Sequence, residues 1–241
     1  MNISVIVPTY REKDNIEPLV ERIAKTLYGF EYQIIIVDDD SPDGTAEIAL
    51  SLANKYSIKV IKRNGIRGLG SAIMEGLRNT QDDVRVVMDA DLQHPPEIIS
   101  QLVAAAENGA NIAIASRYVA GGGVEGWSLS RSIVSRGANL LARPLTTVKD
   151  PMSGFFMLTR SVAEELSIKP NGYKILLDIL VRGKYCQVKE IPYVFRDRRS
   201  GKSKLGLIEY ARYIRLLSQL YFEKGKAKAW NLVFSKTEEY A

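Results

Sequence analysis

Val84-Arg85-Val86-Val87-Met88-Asp89-Ala90-Asp91-Leu92-Gln93-His94-Pro95-Pro96-Glu97 is the stretch from which the architecture can be read. The run from Val84 to Met88 reads as a buried strand that ends in two carboxylates. Positions i and i+2 of an extended chain point the same way, so Asp89 and Asp91 share a face. Two adjacent carboxylates repel, and ionising both is costly unless a cation sits between them. A hard divalent ion, shared between carboxylate and diphosphate oxygens, would resolve that conflict. Pro95-Pro96-Glu97 then opens a helix, since proline is tolerated in a first turn. An Asp-x-Asp alone is a common pattern, and Asp38-Asp39-Asp40 supplies another. Its plain alternative is a polar strand end capping a loop; its place at the mouth of a strand gives it weight.

Upstream, Ile3-Ser4-Val5-Ile6-Val7 reads as a first strand ended by Pro8. Ile16, Leu19, Val20, Ile23 and Leu27 recur at helical spacing, with Asp14 as the N-cap. Ile34-Ile35-Ile36-Val37 is an unbroken β-branched run, the pattern of a strand buried on both faces. It passes through Asp38-Asp39-Asp40-Ser41-Pro42-Asp43-Gly44-Thr45 into a helix from Ala46 to Lys55. Ile58 to Ile61 is a third strand, and Gly65, Gly68 and Gly70 lead to a helix through Ala72, Ile73 and Leu77. A helix after Pro95 and the strand Ile112 to Ala115 complete the alternation. Strands and helices alternating at short spacing predict an open, mostly parallel α/β sheet with right-handed crossovers. In such sheets ligands sit beyond the carboxyl ends of the strands. Four strand ends, carrying Tyr10, Glu12, Asp38 to Asp40, Asp89, Asp91, Gln93, Ser116 and Arg117, are therefore expected to share one crevice.

A dinucleotide-dependent oxidoreductase is excluded by the glycine pattern. Gly68-Leu69-Gly70 starts like the fingerprint, but Ile73 stands where its third glycine belongs, and the first strand ends in Pro8-Thr9-Tyr10 without glycine. The composition, 46% hydrophobic and 25% charged over 241 residues, suits one large α/β domain or two small ones. Cys186 is the single cysteine, so no intramolecular disulfide forms and a reducing compartment fits. With a strand-like run starting at Ile3, no signal peptide is expected, and no apolar run reaches the ~18 residues of a membrane span.

The net charge of +5 is uneven: Arg196 to Lys228 holds ten Lys/Arg against Asp197, Glu209 and Glu223. That local excess points to an anionic partner for the C-terminal part. Arg131 and Ser135 share a face of the helix predicted over Leu129 to Leu141, and could grip one anion together. Asp150-Pro151-Met152-Ser153-Gly154 turns into a further strand, Lys174 starts a helix from Ile175 to Val181, and Val188 to Phe195 reads as strand. The small, basic Arg198-Arg199-Ser200-Gly201-Lys202-Ser203-Lys204 could close over a phosphate. A final helix, Leu207 to Phe222, has an apolar side of Leu207, Ala211, Ile214, Leu217 and Tyr221, with Lys224, Lys226 and Lys228 following. Docking of that side on the domain, with the basic cluster at an anionic bilayer, is the expected arrangement. The boundaries expected are a catalytic domain over 1–205, the basic amphipathic helix over 206–228 and a frayed tail over 229–241.

Several of these pieces together resemble an inverting GT-A, family 2 glycosyltransferase of the dolichyl-phosphate (polyprenyl-phosphate) mannose synthase group. The matching motifs are Val7-Pro8-Thr9-Tyr10-Arg11-Glu12, Val37 through Thr45, Met88 through Glu97, Ser116-Arg117-Tyr118, Asp150 through Phe156, Tyr173-Lys174-Ile175-Leu176 and Arg198 through Leu205. The resemblance implies a GT-A (nucleotide-diphospho-sugar transferase) Rossmann-like fold, with a mostly parallel sheet flanked by helices and a C-terminal amphipathic helix. It implies transfer of mannose from GDP-mannose to dolichyl or polyprenyl phosphate, giving polyprenyl phosphate mannose and GDP. By the same resemblance Pro8, Tyr10, Glu12, Val37, Asp39, Ala90 and Arg117 would bind the nucleotide sugar. Asp89, Asp91 and Gln93 would hold Mg²⁺ or Mn²⁺, and Arg117, Arg131, Ser135, Lys174, Arg198 and Lys204 would bind the lipid phosphate. Asp89, Asp91 and Arg117 are the residues expected to carry catalysis. His94, the only histidine, is expected to be structural, because its loop holds two prolines.

The chemistry agrees with that assignment. A phosphate monoester with a second pKa near ~6 is already anionic at neutral pH, so it needs cations to hold it and no general base. The alternatives are another donor such as UDP-glucose, or a non-catalytic sugar-nucleotide or lipid-phosphate binding subunit. Some members of the group carry C-terminal transmembrane helices that are not found in these 241 residues, so either the protein is of the type without them or the sequence stops short of them. The expected setting is peripheral, at the cytoplasmic face of a membrane, alone or beside a membrane-protein partner, with no nucleic acid involved.

Overall fold

The computed structural model describes residues 1–65, 67–167, 174–196 and 207–235. Its centre is a seven-stranded sheet ordered β3-β2-β1-β4-β7-β5-β8. The strands are β1 (Ile3–Thr9), β2 (Tyr32–Asp38), β3 (Ile58–Lys62), β4 (Val84–Val87), β5 (Ile112–Ser116), β7 (Phe156–Thr159) and β8 (Val188–Pro192). Only β7 runs antiparallel, to both β4 and β5, so the sheet is mostly parallel as expected. A small parallel pair, β6 (Gly123–Glu125) with β9 (Val194–Arg196), lies apart from it. The single strand expected from Val188 to Phe195 is therefore two strands in two sheets.

Helices α1 (Lys13–Thr26), α2 (Thr45–Leu52), α3 (Leu69–Arg78) and α4 (Ile99–Glu107) link the first five strands. Ile3, Val5, Val7, Ile34 and Ile36 pack with α1 and α4 on one face; Ile6, Ile35 and Val37 pack with α3 on the other. The β-branched run of β2 is thus buried on both faces, each side chain contributing roughly 1.5–3 kcal/mol of transfer free energy. Arg85 interrupts the apolar run of β4 yet is buried, its Nη1 donating to Leu77 O at 3.1 Å, with Glu164 carboxylate 3.3 Å from Nη2.

Two local expectations change. Pro8 does not end β1, which pairs with β2 through Pro8↔Val37 and Thr9↔Asp38. Ile6 O accepts from Met88 N–H on the β4 side and Thr9 O accepts from Asp39 N–H on the β2 side. Side alternation along the strand turns the missing N–H of Pro8 toward β4, whose pairing stops at Ile6↔Val87, so no ladder bond is lost. The N-cap of α1 is Glu12; Asp14 lies in the first turn, where its charge suits the helix dipole.

Helices α6 (Arg160–Glu164) and α7 (Ile175–Arg182) pack on the α3 face of the sheet, and α5 (Leu129–Ala142) and α8 (Leu207–Ser235) gather against α7. The backbone of α8 stays helical to Ser235, beyond residue 228. It docks through Tyr213, Leu216, Leu217 and Leu220 against Ala142, Leu145 and Leu177. Of the apolar side expected from sequence, Leu217 is buried but Ala211, Ile214 and Tyr221 are exposed. Polar anchors account for the rotation: Tyr213 Oη donates to Ala138 O at 2.7 Å, Lys224 Nζ to Pro144 O at 2.9 Å, and Arg182 forks onto Glu223 with two 2.8 Å bonds.

Candidate active site

β1 has β2 and then β3 on one side and β4 on the other, so the order of connection reverses between β1 and β4. Loops diverge at such a point and leave a crevice at the carboxyl ends of the strands. A cleft of about 280 Å³ opens there, lined by Pro8, Thr9, Tyr10, Glu12, Asp39, Leu69, Asp89, Ala90 and Asp91. Three strand ends converge, not four. β7 lies between β4 and β5, and Ser116 and Arg117 at the end of β5 are not in the lining. Val37 is also absent from it: its side chain packs in the core beneath, against α3.

The loops around the cleft are held in unusual backbone. Arg11, Asp40 and Leu92, in the loops after β1, β2 and β4, have φ of 59°, 59° and 61°. Each such non-glycine residue costs of order 1 kcal/mol, and neighbouring bonds hold them in place. Asp38 is buried and accepts from Thr9 Oγ1 (2.9 Å), Ser41 N–H (2.9 Å) and Ser41 Oγ (2.6 Å), which fixes the turn carrying Asp40. Glu12 N–H donates to Thr45 Oγ1 at 3.0 Å, while its carboxylate accepts from Asn15 Nδ2 at 2.7 Å. Arg67 lies over the Tyr10 ring, 4.7 Å from its centroid, and donates to its hydroxyl at 3.0 Å.

Asp91 Oδ1 accepts the N–H of Gln93 at 3.0 Å, closing the turn through Leu92. Asp89 donates its N–H to His94 Nδ1 at 3.1 Å, so that nitrogen is the acceptor and the ring proton sits on Nε2. His94 is 3% exposed and stacks on Phe155, with Tyr193 and Phe195 at its edges. It braces the Asp89 loop from inside the core, the structural role expected of it. Behind Asp89, a Cβ on Gly154 would stand 3.2 Å from Oδ2, so glycine leaves the carboxylate its room.

Arg117 and Asp150 form a closed pair across the loop ends. Nε and Nη2 of Arg117 each meet an Asp150 oxygen at 2.8 Å, and the Arg117 N–H adds a 3.0 Å bond. Asp150 is fully buried, and its charge pushes the guanidinium pKa up, outweighing desolvation, which alone would lower it. Glu190 supports the turn by accepting from the N–H groups of Lys149 and Asp150. The rings of Tyr118, Trp127 and Phe195 surround the guanidinium at 5.4–5.8 Å. Arg131 stacks on Trp127 at 4.3 Å, and Ser135 Oγ bonds Tyr118 Oη at 2.8 Å. Burial pushes up the Tyr193 hydroxyl, with the charges of Arg117, Asp150 and Asp89 acting on it as well. Lys174 sits at the N-cap of α7, and Arg198 and Lys204 lie outside the described residues.

Sequence reasoning left Gly154, Arg63, Arg67 and Leu69 without a role. Gly154 was legible within a quoted motif, and Arg63 and Arg67 flank Gly65, but only chain folding turns them toward the cleft.

The family description "Glycosyl transferase family 2" matches residues 4–167. A dolichol-phosphate mannosyltransferase of Pyrococcus furiosus is 49% identical over 221 residues, covering 89% of this chain and 63% of that protein. The chain therefore spans somewhat under two thirds of that relative. A dolichol-phosphate mannosyltransferase of Mycosarcoma maydis is 39% identical, covering 90% of this chain and 78% of that protein. Among solved structures, glucosyl-3-phosphoglycerate synthase from Mycobacterium tuberculosis, in complex with Mn²⁺, UDP-glucose and phosphoglyceric acid, superposes with a TM-score of 0.70 at 20% identity. That likeness covers 91% of this chain and 79% of the other, and establishes the GT-A architecture.

Proposed function

The chain belongs to glycosyl transferase family 2, and on that premise we propose that it moves mannose from GDP-mannose to a dolichyl or other polyprenyl phosphate, with inversion and release of GDP. The observation that carries this reading is the gathering of Tyr10, Glu12, Asp39, Asp89 and Asp91 on one cleft at the reversal point of the sheet. Relatives named for mannose transfer to dolichol phosphate, at 39% and 49% identity, supply the substrate class.

On this reading Pro8, Tyr10, Glu12, Asp39 and Ala90 line the nucleotide-sugar site, with Val37 supporting it from beneath. Asp89 and Asp91 fit a hard cation: the Asp89 side chain is 38% exposed, and both residues reach the cleft. Gln93 and substrate oxygens would complete the shell of such an ion. When bound there, Mg²⁺ or Mn²⁺ would offset the charge that grows on the departing diphosphate. Arg117, Arg131, Ser135 and Lys174, with Arg198 and Lys204, hold the acceptor phosphate. Asp150 already balances Arg117, so that arginine contributes orientation more than net charge.

A lipid acceptor also fits the surface. Leu129, Ile133 and Leu140 on α5 are 68–85% exposed, with Val134 and Leu141 about half exposed beside them. With these apolar side chains turned outward, we place the domain on the bilayer surface, at its cytoplasmic face; among the described residues no helix is long and apolar enough to cross a membrane. The boundaries 1–205 for the catalytic domain and 206–228 for the basic helix complete the proposal, with the helical backbone running on to Ser235 within the 229–241 tail.

The test is transfer of labelled sugar to a short polyprenyl phosphate in detergent, from GDP-mannose and separately from UDP-glucose, with Mn²⁺ and with chelator. Metal-dependent mannolipid from GDP-mannose alone is the expected result. Transfer only from UDP-glucose overturns the donor, and undiminished turnover in Asp91→Asn overturns the metal assignment.

A further inference from the structure

Arg63 follows β3 directly and turns back into the wall of the cleft, where its side chain is only 8% exposed. Nη1 donates to Asp39 Oδ1 at 2.6 Å, and Gly68 O lies 3.3 Å from the same nitrogen. Nη2 donates to Ser71 Oγ at 2.7 Å, and that hydroxyl donates to Gly68 O at 2.8 Å. The other oxygen of Asp39 accepts the N–H of Gly68 at 2.7 Å. Gly68 has φ of +145°, a backbone a side chain would strain, and the next residue is Leu69, itself part of the lining.

Both oxygens of Asp39 are thus tied from behind, one to a guanidinium and one to an amide, and the carboxylate keeps lone pairs for the cleft. A nearly buried ion pair of this kind is a weak source of stability and a good source of fixed geometry. Asp39, the first residue after β2, and Leu69, the first of α3, come from different parts of the chain, and Arg63 joins the two walls they form.

We propose that Arg63 is a positioning residue for the donor nucleotide. It fixes Asp39 so that the carboxylate accepts a ring N–H from the base. Guanine N1–H and uracil N3–H offer that donor; the corresponding nitrogens of adenine and cytosine are acceptors and would face the carboxylate unpaired. This rests on reading the cleft as the nucleotide site. An acceptor-only group in a confined wall discriminates chiefly through such unpaired contacts.

The experiment is calorimetric titration of the full chain with GDP, UDP and ADP, for wild type, Arg63→Gln, Arg63→Lys and Asp39→Asn, alongside thermal unfolding and donor KM and kcat. Wild type is expected to prefer GDP over ADP. Arg63→Gln should lose about tenfold in GDP affinity or more, raise the donor KM and leave kcat at saturating donor nearly unchanged. Discrimination against ADP should shrink with it, as in Asp39→Asn, and Arg63→Lys should recover part of the loss. A merely structural arginine would lower the unfolding temperature without altering the GDP-to-ADP ratio, and that outcome overturns the proposal. Should Arg63→Gln fail to fold, Arg63→Lys decides: unchanged discrimination in that variant is equally fatal. A wild type that prefers UDP removes the GDP donor of the proposed function and leaves the role of Arg63 to be read from the UDP titrations. One that fails to reject ADP overturns the role assigned to Asp39 and Arg63.

Discussion

At the ends of β1, β2 and β4 the side chains of Glu12, Asp39, Asp89 and Asp91 reach a cleft, whereas beyond β7 the charges of Arg117 and Asp150 are closed upon each other. The first region presents acceptors held from behind by amides and hydroxyls, with strained residues at Arg11, Asp40 and Leu92. The second packs its cations among Tyr118, Trp127 and Phe195, and its outermost helix, α5, exposes apolar side chains. Carboxylates that line a cleft suit cations and N–H donors. A compensated arginine beside an apolar surface suits a ligand with one charged head and a greasy tail. Both halves hold a nearly buried ion pair, Arg63–Asp39 in one and Arg117–Asp150 in the other, because buried charge tolerates imperfect pairing badly; they differ in that Asp39 also lines a cleft.

The contrast breaks most severely at Asp150. Asp150→Ala leaves Arg117 buried without its counter-ion and should cost about 3–5 kcal/mol, seen as a lowered denaturant midpoint at unchanged slope. Stability within 1 kcal/mol of wild type would mean the pair is not the closed unit described.

A second closed cluster joins α7 to α8. Arg182 bonds the buried Asp178 and forks onto Glu223. Burial pushes the Asp178 carboxyl above its ordinary range; Arg182 opposes that shift and Glu223 adds to it. A carboxyl whose folded pKa exceeds its unfolded value binds its proton more tightly when folded, so stability is gained as pH falls through the raised value and lost as pH rises. Arg182→Met should therefore destabilise by roughly 2 kcal/mol at neutral pH, and the deficit against wild type should narrow as the medium is acidified. A deficit that widens in acid would refute this account of Asp178.

In the open region the sharpest probe is Gly154→Ala, whose new Cβ would press within 3.2 Å of Asp89 Oδ2 and 3.3 Å of His94 Cε1. Turnover should drop about tenfold, since small misplacements at a reacting centre are costly, while the unfolding temperature moves little. Full activity would show that the position of Asp89 is not critical. The smallest effect on stability belongs to the exposed helix: Ile133→Ser with Leu140→Ser should change it by under about 0.5 kcal/mol. Binding to anionic vesicles in flotation assays should nevertheless weaken several-fold, and undiminished flotation would remove α5 from the membrane surface.

Much of the architecture was legible before any coordinates. β-branched runs such as Ile34 to Val37 declare buried strands, because a side-chain period of two leaves both faces apolar. Their alternation with helical spacing yields a parallel sheet and puts Tyr10, Glu12, Asp39, Asp89 and Asp91 at its carboxyl edge. The family reading rested on motifs, and the relatives bear it out. Pairing order, however, is not written in local pattern. β7 inserts antiparallel between β4 and β5 and moves Ser116 and Arg117 away from the three converging ends. The docking face of α8 likewise follows from Tyr213, Lys224 and the Arg182–Glu223 fork, contacts spanning 41 to 80 positions. The chain by itself determined which elements form and which residues stand at their ends, because those depend on neighbours in sequence. Tertiary structure alone decided which charges meet one another and which of them line the cleft, because partners such as Arg63 with Asp39, or Arg117 with Asp150, meet only when distant segments pack.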